Sequence, residues 1–318
     1  MIYVESPFIN PYKNLALEEH LLTSTDCEVF MLWRNGSAVI VGKNQNTLSE
    51  INSEYIENNN IKVVRRLTGG GAVFHDLGNL NFSFMVKNER GYYSDFAKFT
   101  EPIISALKSY GLNAEFGGRN DILLGGKKIS GNAQAVKGDR LLHHGTLLFH
   151  TDFSQLAGAL NPNPLKIQSK SIQSTRARVA NICEHKQIEI EDFISRVKTG
   201  ERYNLTNADF EEVSRLSREK YGTWEWNYGN SPKYSYHNEK RFDGGCLEVY
   251  VDVKNGIIEN VKFYGDFFAR KDVSEIENAL KGEKHKRSDV AALLGKFNLS
   301  EYFLNITAEE VADVIAEL

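Results

Sequence analysis

Every second residue between Leu80 and Val86 is apolar (Leu80, Phe82, Phe84, Val86), and this period of two commits the stretch to a β-strand with one face in a core. Similar short runs fill the first half of the chain. Val29 to Trp33, Ala38 to Val41, Lys62 to Arg66, Ala72 to Phe74, Ile122 to Leu124, Lys128 to Val136 and Thr146 to Phe149 all read as strands. Asn35-Gly36 between the first two predicts a hairpin that pairs them, because both turn positions tolerate positive φ. Gly125-Gly126 and Lys137-Gly138-Asp139 mark later turns. Helices flank these strands. Asn14 to Leu22 carries an apolar face of leucines, and Thr100-Glu101-Pro102 followed by Gly111 predicts a helix that starts at Thr100.

From Tyr221 to Phe242 the chain turns to Gly, Asn, Ser, Pro and aromatic residues, which reads as an irregular connection. We place a domain boundary at its end, giving a domain of residues 1–242 and a smaller one of 243–318. In the latter, Leu247, Val249, Val251 and Val253 alternate, Asn255-Gly256 turns the chain, Ile257 to Phe268 returns, and helical patterns follow around Ile276 and from Thr307 to Leu318. The expected fold class is α+β: a mixed sheet with flanking helices, plus a small C-terminal α+β unit.

With 318 residues, 41% of them hydrophobic, the chain has material for two packed cores. A formal net charge of -4 argues against broad nucleic-acid binding, which needs a cationic surface, and the basic run from Lys281 to Arg287 reads as a solvated loop. Cys27, Cys183 and Cys246 are widely spaced and lack metal-ligand spacing, which fits a reducing compartment. Neither a leader-like N-terminus nor a run of roughly 18 apolar residues occurs, so no membrane role is expected and a soluble, cytoplasmic protein is. Nothing demands more than a monomer.

The chemistry gathers in a few segments. Arg65 to Asp76 combines two arginines, the triplet Gly69-Gly70-Gly71, Thr68 and His75. Glycines let a backbone approach an anion closely while a guanidinium binds it through two hydrogen bonds, so the segment suits an anion cradle; a plain glycine-rich hairpin accounts for the glycines as well. It matches neither a P-loop nor a dinucleotide fingerprint. Alternation along Lys128 to Ser130 sends Lys128 and Ser130 to one face and Ile129 to the other, so Lys128 can point into a pocket or into solvent. Asp121 suits Mg²⁺ or a turn cap. His143 and His144 are adjacent on a strand, point to opposite faces and so do not share a metal ion.

Five ordered blocks together resemble the lipoate-protein ligase A family: Arg65 to Asn79 (RRLTGGGAVFHDLGN), Gly118 to Asp121 (GRND), Lys128 to Gly131 (KISG), His143 to Leu148 (HHGTLL) and Ser174 to Asn181 (STRARVAN). The resemblance runs through Trp224 to Asn227 into the final domain, which looks like the accessory domain of the two-domain members. It implies a biotin/lipoate ligase-like fold with an apolar tunnel for lipoate and a nucleotide across its mouth. By the same resemblance, ATP is contacted by Arg66, Gly71, Ala72, Val73, Phe74 and Lys128. Lipoate is contacted by Lys128, Arg65, Gly70, Gly71, His75, Ser130, Gly131 and His144. Lys128 is the catalytic cation, and Asp121 supports Mg²⁺. The implied acceptors are apo lipoyl domains of 2-oxoacid dehydrogenase complexes or the glycine cleavage H protein.

Three rivals stay open. A transferase of the same fold needs a pocket cysteine, which Asn161-Pro162-Asn163-Pro164 does not supply and Cys183 could. A biotin ligase fits the blocks less well. A non-catalytic lipoyl-binding module would not consume ATP.

Overall fold

The computed structural model describes residues 1–89, 92–118, 120–160, 178–230, 234–265, 267 and 269–316. Its strands are β1 (Ile2–Glu5), β2 (Val29–Trp33), β3 (Ala38–Val41), β4 (Lys62–Arg65), β5 (Val73–His75), β6 (Asn79–Lys87), β7 (Ala114–Gly117), β8 (Asp121–Leu124), β9 (Lys127–Lys137), β10 (Arg140–Leu148), β11 (Glu201–Arg202), β12 (Tyr234–Phe242), β13 (Gly245–Lys254) and β14 (Ile257–Gly265). Its helices are α1 (Pro11–Ser24), α2 (Thr47–Glu50), α3 (Ser53–Asn58), α4 (Phe96–Ser109), α5 (Phe153–Ala159), α6 (Ile190–Val197), α7 (Asn207–Leu216), α8 (Ser274–Leu280), α9 (Arg287–Leu294) and α10 (Ala308–Ile315). The backbone divides into two compact units, residues 1–45 with 60–223, and residues 46–59 with 224–318.

The first unit is built on a sheet ordered β11-β1-β2-β6-β10-β9-β8-β7, and on a smaller sheet ordered β4-β3-β5. The alternation along β6 divides the large sheet into two environments. Leu80, Phe82, Phe84 and Val86 enter a core shared with Phe99 and Ile103 of α4 and Phe193 of α6. Asn79, Asn81 and Ser83 point the other way and are nevertheless buried. That polar yet buried face is where the site lies.

Three local expectations need correction. β2 and β3 are not a hairpin: β2 pairs with β1 and β6 of the large sheet, whereas β3 pairs with β4 and β5. Asn35 is buried and its amide is engaged by Asn14 and His75, so the Asn-Gly step carries the chain from one sheet to the other. α4 begins at Phe96, not Thr100, because the Asp95 carboxylate caps it by accepting from the Lys98 N–H, and Pro102 sits inside the helix. β10 begins at Arg140, ahead of Thr146, and so includes both histidines.

In the second unit, β12, β13 and β14 form an antiparallel sheet. Leu247, Val249, Val251 and Val253 pack there with Ile276 and Leu280 of α8, Val290 and Leu294 of α9, and Val311 and Ile315 of α10. The Asn255-Gly256 turn has φ of 51° and 73°, as its sequence predicts. The expected boundary at 242 falls too late: Tyr234–Phe242 pairs along its length with β13 and belongs to the small sheet. Residues 46–59 also join this unit, where the Thr47 hydroxyl donates to the Asn227 carbonyl at 2.6 Å. Among the described residues no helix is long and apolar enough to cross a membrane.

Candidate active site

Cross-strand register places Trp33 opposite Asn81 and Asn81 opposite Thr146, while the Thr146 hydroxyl accepts from the Gly131 N–H at 3.1 Å. Directly opposed residues share a face, so this row lines one side of the sheet from β2 to β9, three strand spacings or about 14 Å. The row borders a cavity of about 790 Å³, which Ile40, Arg66 and Val73 of the small sheet's strands and loop also line.

Arg66 holds the glycine loop beside the cavity, and Arg65 holds the neighbouring 42–45 loop. Arg66 donates through Nε to the Thr68 hydroxyl (2.9 Å), through Nη1 to the Ile40 carbonyl (3.0 Å) and through Nη2 to the carbonyls of Gly69 (2.7 Å) and Gly71 (2.8 Å). Arg65 is fully buried and donates through Nη1 to the carbonyls of Gly42, Lys43 and Gln45. Burial lowers both guanidinium pKa values to about 10, opposed at Arg66 by the charge of Glu18, so both keep their charge at neutral pH. Gly42 lies so close to the loop that a Cβ on it would sit 2.0 Å from the Gly70 carbonyl oxygen.

A polar chain runs from this loop into α1. The Thr68 hydroxyl, already accepting from Arg66, meets His144 Nε2 at 2.8 Å, and His144 Nδ1 meets Glu18 Oε1 at 2.9 Å. The same Glu18 oxygen accepts from the Ser83 hydroxyl (2.7 Å), which in turn accepts from the Trp33 indole N–H (2.9 Å). Both His144 nitrogens are thus occupied, and the ring braces the loop. His143, on the opposite face, stacks on Phe99 at 5.0 Å; burial, then the nearby His144, lowers its pKa to about 3.

At the β9 end, Lys128 Nζ pairs with Asp121 Oδ1 at 2.7 Å, both side chains remaining partly exposed. A β-bulge positions this lysine: Ile122 opposes Ser130 and Leu123 opposes Lys128, leaving Ile129 as the extra residue. Lys128 lies across Gly131, where a Cβ would come within 2.9 Å of Nζ. Asp121 is a single carboxylate, and among the described residues no cluster of three potential metal ligands exists. That donor set fits Mg²⁺ carried mainly by phosphate oxygens rather than a protein cage.

Most of the expected residues therefore meet at one cavity. Arg66, Gly70, Gly71, Ala72, Val73, His75, Lys128, Gly131 and His144 all line it. Four do not: Arg65 braces the 42–45 loop, the Phe74 side chain is buried, the buried Ser130 hydroxyl accepts from Asn132 Nδ2 (3.2 Å), and Asp121 stands behind Lys128 as its ion-pair partner. Arg119 and Ser174 to Ala177, together with Asn161 to Pro164, lie outside the described residues. Glu18, Trp33 and Asn81 were not singled out from the sequence. Their signal is a polar residue where the pattern faces inward, Glu18 one turn after Asn14 on the buried side of α1 and Asn81 within β6.

Residues 10–200 match the family model of the lipoyl protein ligase A/B catalytic domain, and residues 231–315 match that of the bacterial lipoate protein ligase C-terminus. The chain belongs to the lipoate-protein ligase family. It is 45% identical to a lipoate-protein ligase of Bacillus subtilis, covering 99% of this chain and 100% of that one. With lipoate-protein ligase 1 of Staphylococcus aureus it shares 46% identity over 95% of each. A crystal structure of a P. falciparum protein in complex with lipoate aligns over 93% of this chain and 94% of that one with a TM-score of 0.63 and 28% identity. A lipoate-protein ligase A bound with ATP aligns over 72% of this chain and 98% of that one with a TM-score of 0.63 and 30% identity. The α+β fold is accordingly that of the biotin/lipoate ligases.

Proposed function

We propose that this ligase uses ATP to convert lipoate into lipoyl-AMP with release of pyrophosphate, and then passes the lipoyl group to a lysine ε-amine on a carrier protein. The observation that carries the reading is the placement of Lys128 across Gly131 at one end of a cavity that also takes in the glycine loop and ends at Trp33. Relatives crystallised with lipoate and with ATP support it.

Attack of a carboxylate on the α-phosphate brings two anions together, so the protein's task is to position them and neutralise charge. Lys128 is the cation shared by carboxylate and phosphate. Its partner in the unliganded protein is Asp121, which keeps the ammonium in place until the substrate's oxygens compete for it. The Gly71 to Val73 backbone lines the nucleotide end, and Arg66, its guanidinium committed to loop carbonyls, sets the loop's shape and adds positive charge. Mg²⁺, when bound, would lower the charge on the triphosphate, and Asp121 would be the carboxylate that helps hold it. In the second half-reaction the acceptor amine attacks the lipoyl carbonyl and AMP leaves. Neither Cys27 nor Cys183 of the first unit is among the residues that line the cavity, which favours direct transfer over a thioester route.

We assign catalysis to the first unit and an accessory role to the second. The acceptors are lipoyl domains of 2-oxoacid dehydrogenase complexes or the glycine cleavage H protein, the compartment is cytoplasmic, and the ligase acts as a monomer. The test is the mass of an apo lipoyl domain after incubation with protein, lipoate, ATP and Mg²⁺. Gain of one lipoyl group only when ATP is present is the expected result; gain without ATP from an acyl donor would favour the transferase instead.

A further inference from the structure

β8 covers β9 only as far as Gly131, whereas β10 stays paired with β9 from Asn132 to Lys137. Asn132 closes the covered stretch: its N–H donates to the Asn120 carbonyl at 3.0 Å, and its own carbonyl accepts from Asn120 Nδ2. The backbone groups of Asn132 therefore face away from β10, and the period of two gives those of Gln134 and Val136 the same direction. Among the described residues neither has a backbone partner on that side. Beyond Gly131, then, β9 is an open edge. Proteins commonly blunt such an edge with a charge, a proline or a bulge, and Ala133-Gln134-Ala135-Val136 carries none of these.

The edge belongs to the cavity. Gln134 and Val136 line it together with Lys128 and Gly131 of the same strand, and Gln134 is three residues from Gly131, about 10 Å at the rise of a strand. The Gln134 side chain is committed elsewhere: Oε1 accepts from the Ser94 N–H (2.7 Å), and Nε2 donates to His143 Nδ1 (3.1 Å). The first of these bonds also ties down the 92–95 turn, which the Asp95 N–H closes by donating to the Tyr92 carbonyl at 3.2 Å. Tyr93 in that turn is 60% exposed and Val136 is 43% exposed, and both line the cavity. Unpaired backbone groups at a two-residue spacing are matched by another extended backbone, not by a nucleotide or an acyl chain. The polypeptide that must reach this cavity is the protein substrate of the ligase, whose amine has to meet the acyl group at Lys128.

We propose that the acceptor protein adds one of its own strands to the β9 edge at Gln134 and Val136, packing against Tyr93 and Val136, so that the residues next to that strand carry the acceptor amine to Lys128. This rests on the ligase reading above, and names the docking surface for its second substrate.

Hydrogen exchange on the full-length wild-type protein tests the contact without any variant. The probe is a lipoyl domain of a 2-oxoacid dehydrogenase complex lacking its acceptor lysine, added with lipoate, ATP and Mg²⁺. It is expected to slow exchange at the backbone N–H groups of Gln134 and Val136 by about tenfold or more. Unchanged exchange at both, while the intact domain is lipoylated normally, overturns the proposal. The same slowing produced by raising the protein's own concentration also overturns it, because the edge would then join two copies of this chain. Val136→Pro removes one outward donor and leaves the β10 ladder intact. It is expected to raise KM for the apo lipoyl domain roughly tenfold, the scale of one or two backbone hydrogen bonds, while lipoate-dependent pyrophosphate exchange, which needs no acceptor, stays within about twofold of wild type. An unchanged KM overturns the proposal. Absence of pyrophosphate exchange in the wild-type protein would instead overturn the ligase reading.

Discussion

Arg65 and Arg66 are neighbours in sequence, and a list of cations treats them alike. The structure separates their work: Arg65 spends its guanidinium on the carbonyls of Gly42, Lys43 and Gln45, while Arg66 shapes the glycine loop on the cavity wall. Arg65→Met leaves those buried carbonyls without their donor and is expected to destabilise the protein by about 2–4 kcal/mol in denaturant unfolding. If stability held and only KM for lipoate rose, Arg65 would be a ligand contact after all. The sequence motif located the loop because glycine triplets and flanking cations are visible as residue types. It could not separate the two arginines, since strand alternation tells which face each occupies and not which carbonyls wait there. Glu18 was illegible for the same reason, as its partner His144 lies far along the chain.

At the scale of elements, α1 and α7 are joined by Asp209, which accepts from Thr206 as the α7 cap and pairs with His20 of α1 at 2.7 Å. Burial alone would raise the Asp209 pKa, but hydrogen bonds from His20, Thr206 and Tyr203 outweigh it and hold the pKa at about 2, against an ordinary 3.8. A depressed carboxylate pKa contributes stability that is complete above the unfolded-state value and lost as pH falls through the folded one. Asp209→Asn is therefore expected to lose about 1–2 kcal/mol at pH 6, and its deficit should shrink between pH 4 and pH 2. Urea unfolding at several pH values measures this, and a constant deficit would contradict it. Periodicity made the strands β2 to β6, β8 to β10, β13 and β14 legible, but not β1, β7, β11 or β12. It failed where tertiary demand replaced local preference: Asn35 serves His75 instead of a hairpin, Asp95 caps α4 ahead of Thr100, and the bulge at Ile129 was invisible because nothing in Lys-Lys-Ile-Ser marks an extra residue.

The whole chain divides differently in space and in sequence. Residues 46–59 belong with 224–318, and Thr47 bonds to Asn227. A composition shift shows where a connection runs but not that a distant segment completes the next unit, so the boundary read at 242 came after β12 had already begun the small sheet. A chain ended at Thr223 is expected to become cleavable by protease within 46–59, where the full chain resists; equal resistance would contradict that dependence. The central claim, that Lys128 and the glycine loop form an acyl-adenylate, is tested most directly by exchange of labelled pyrophosphate into ATP without any acceptor protein. The account predicts exchange that requires lipoate and that falls by about 10²–10³-fold in Lys128→Met with an unchanged melting curve. Exchange independent of lipoate, or fully retained in Lys128→Met, would contradict it.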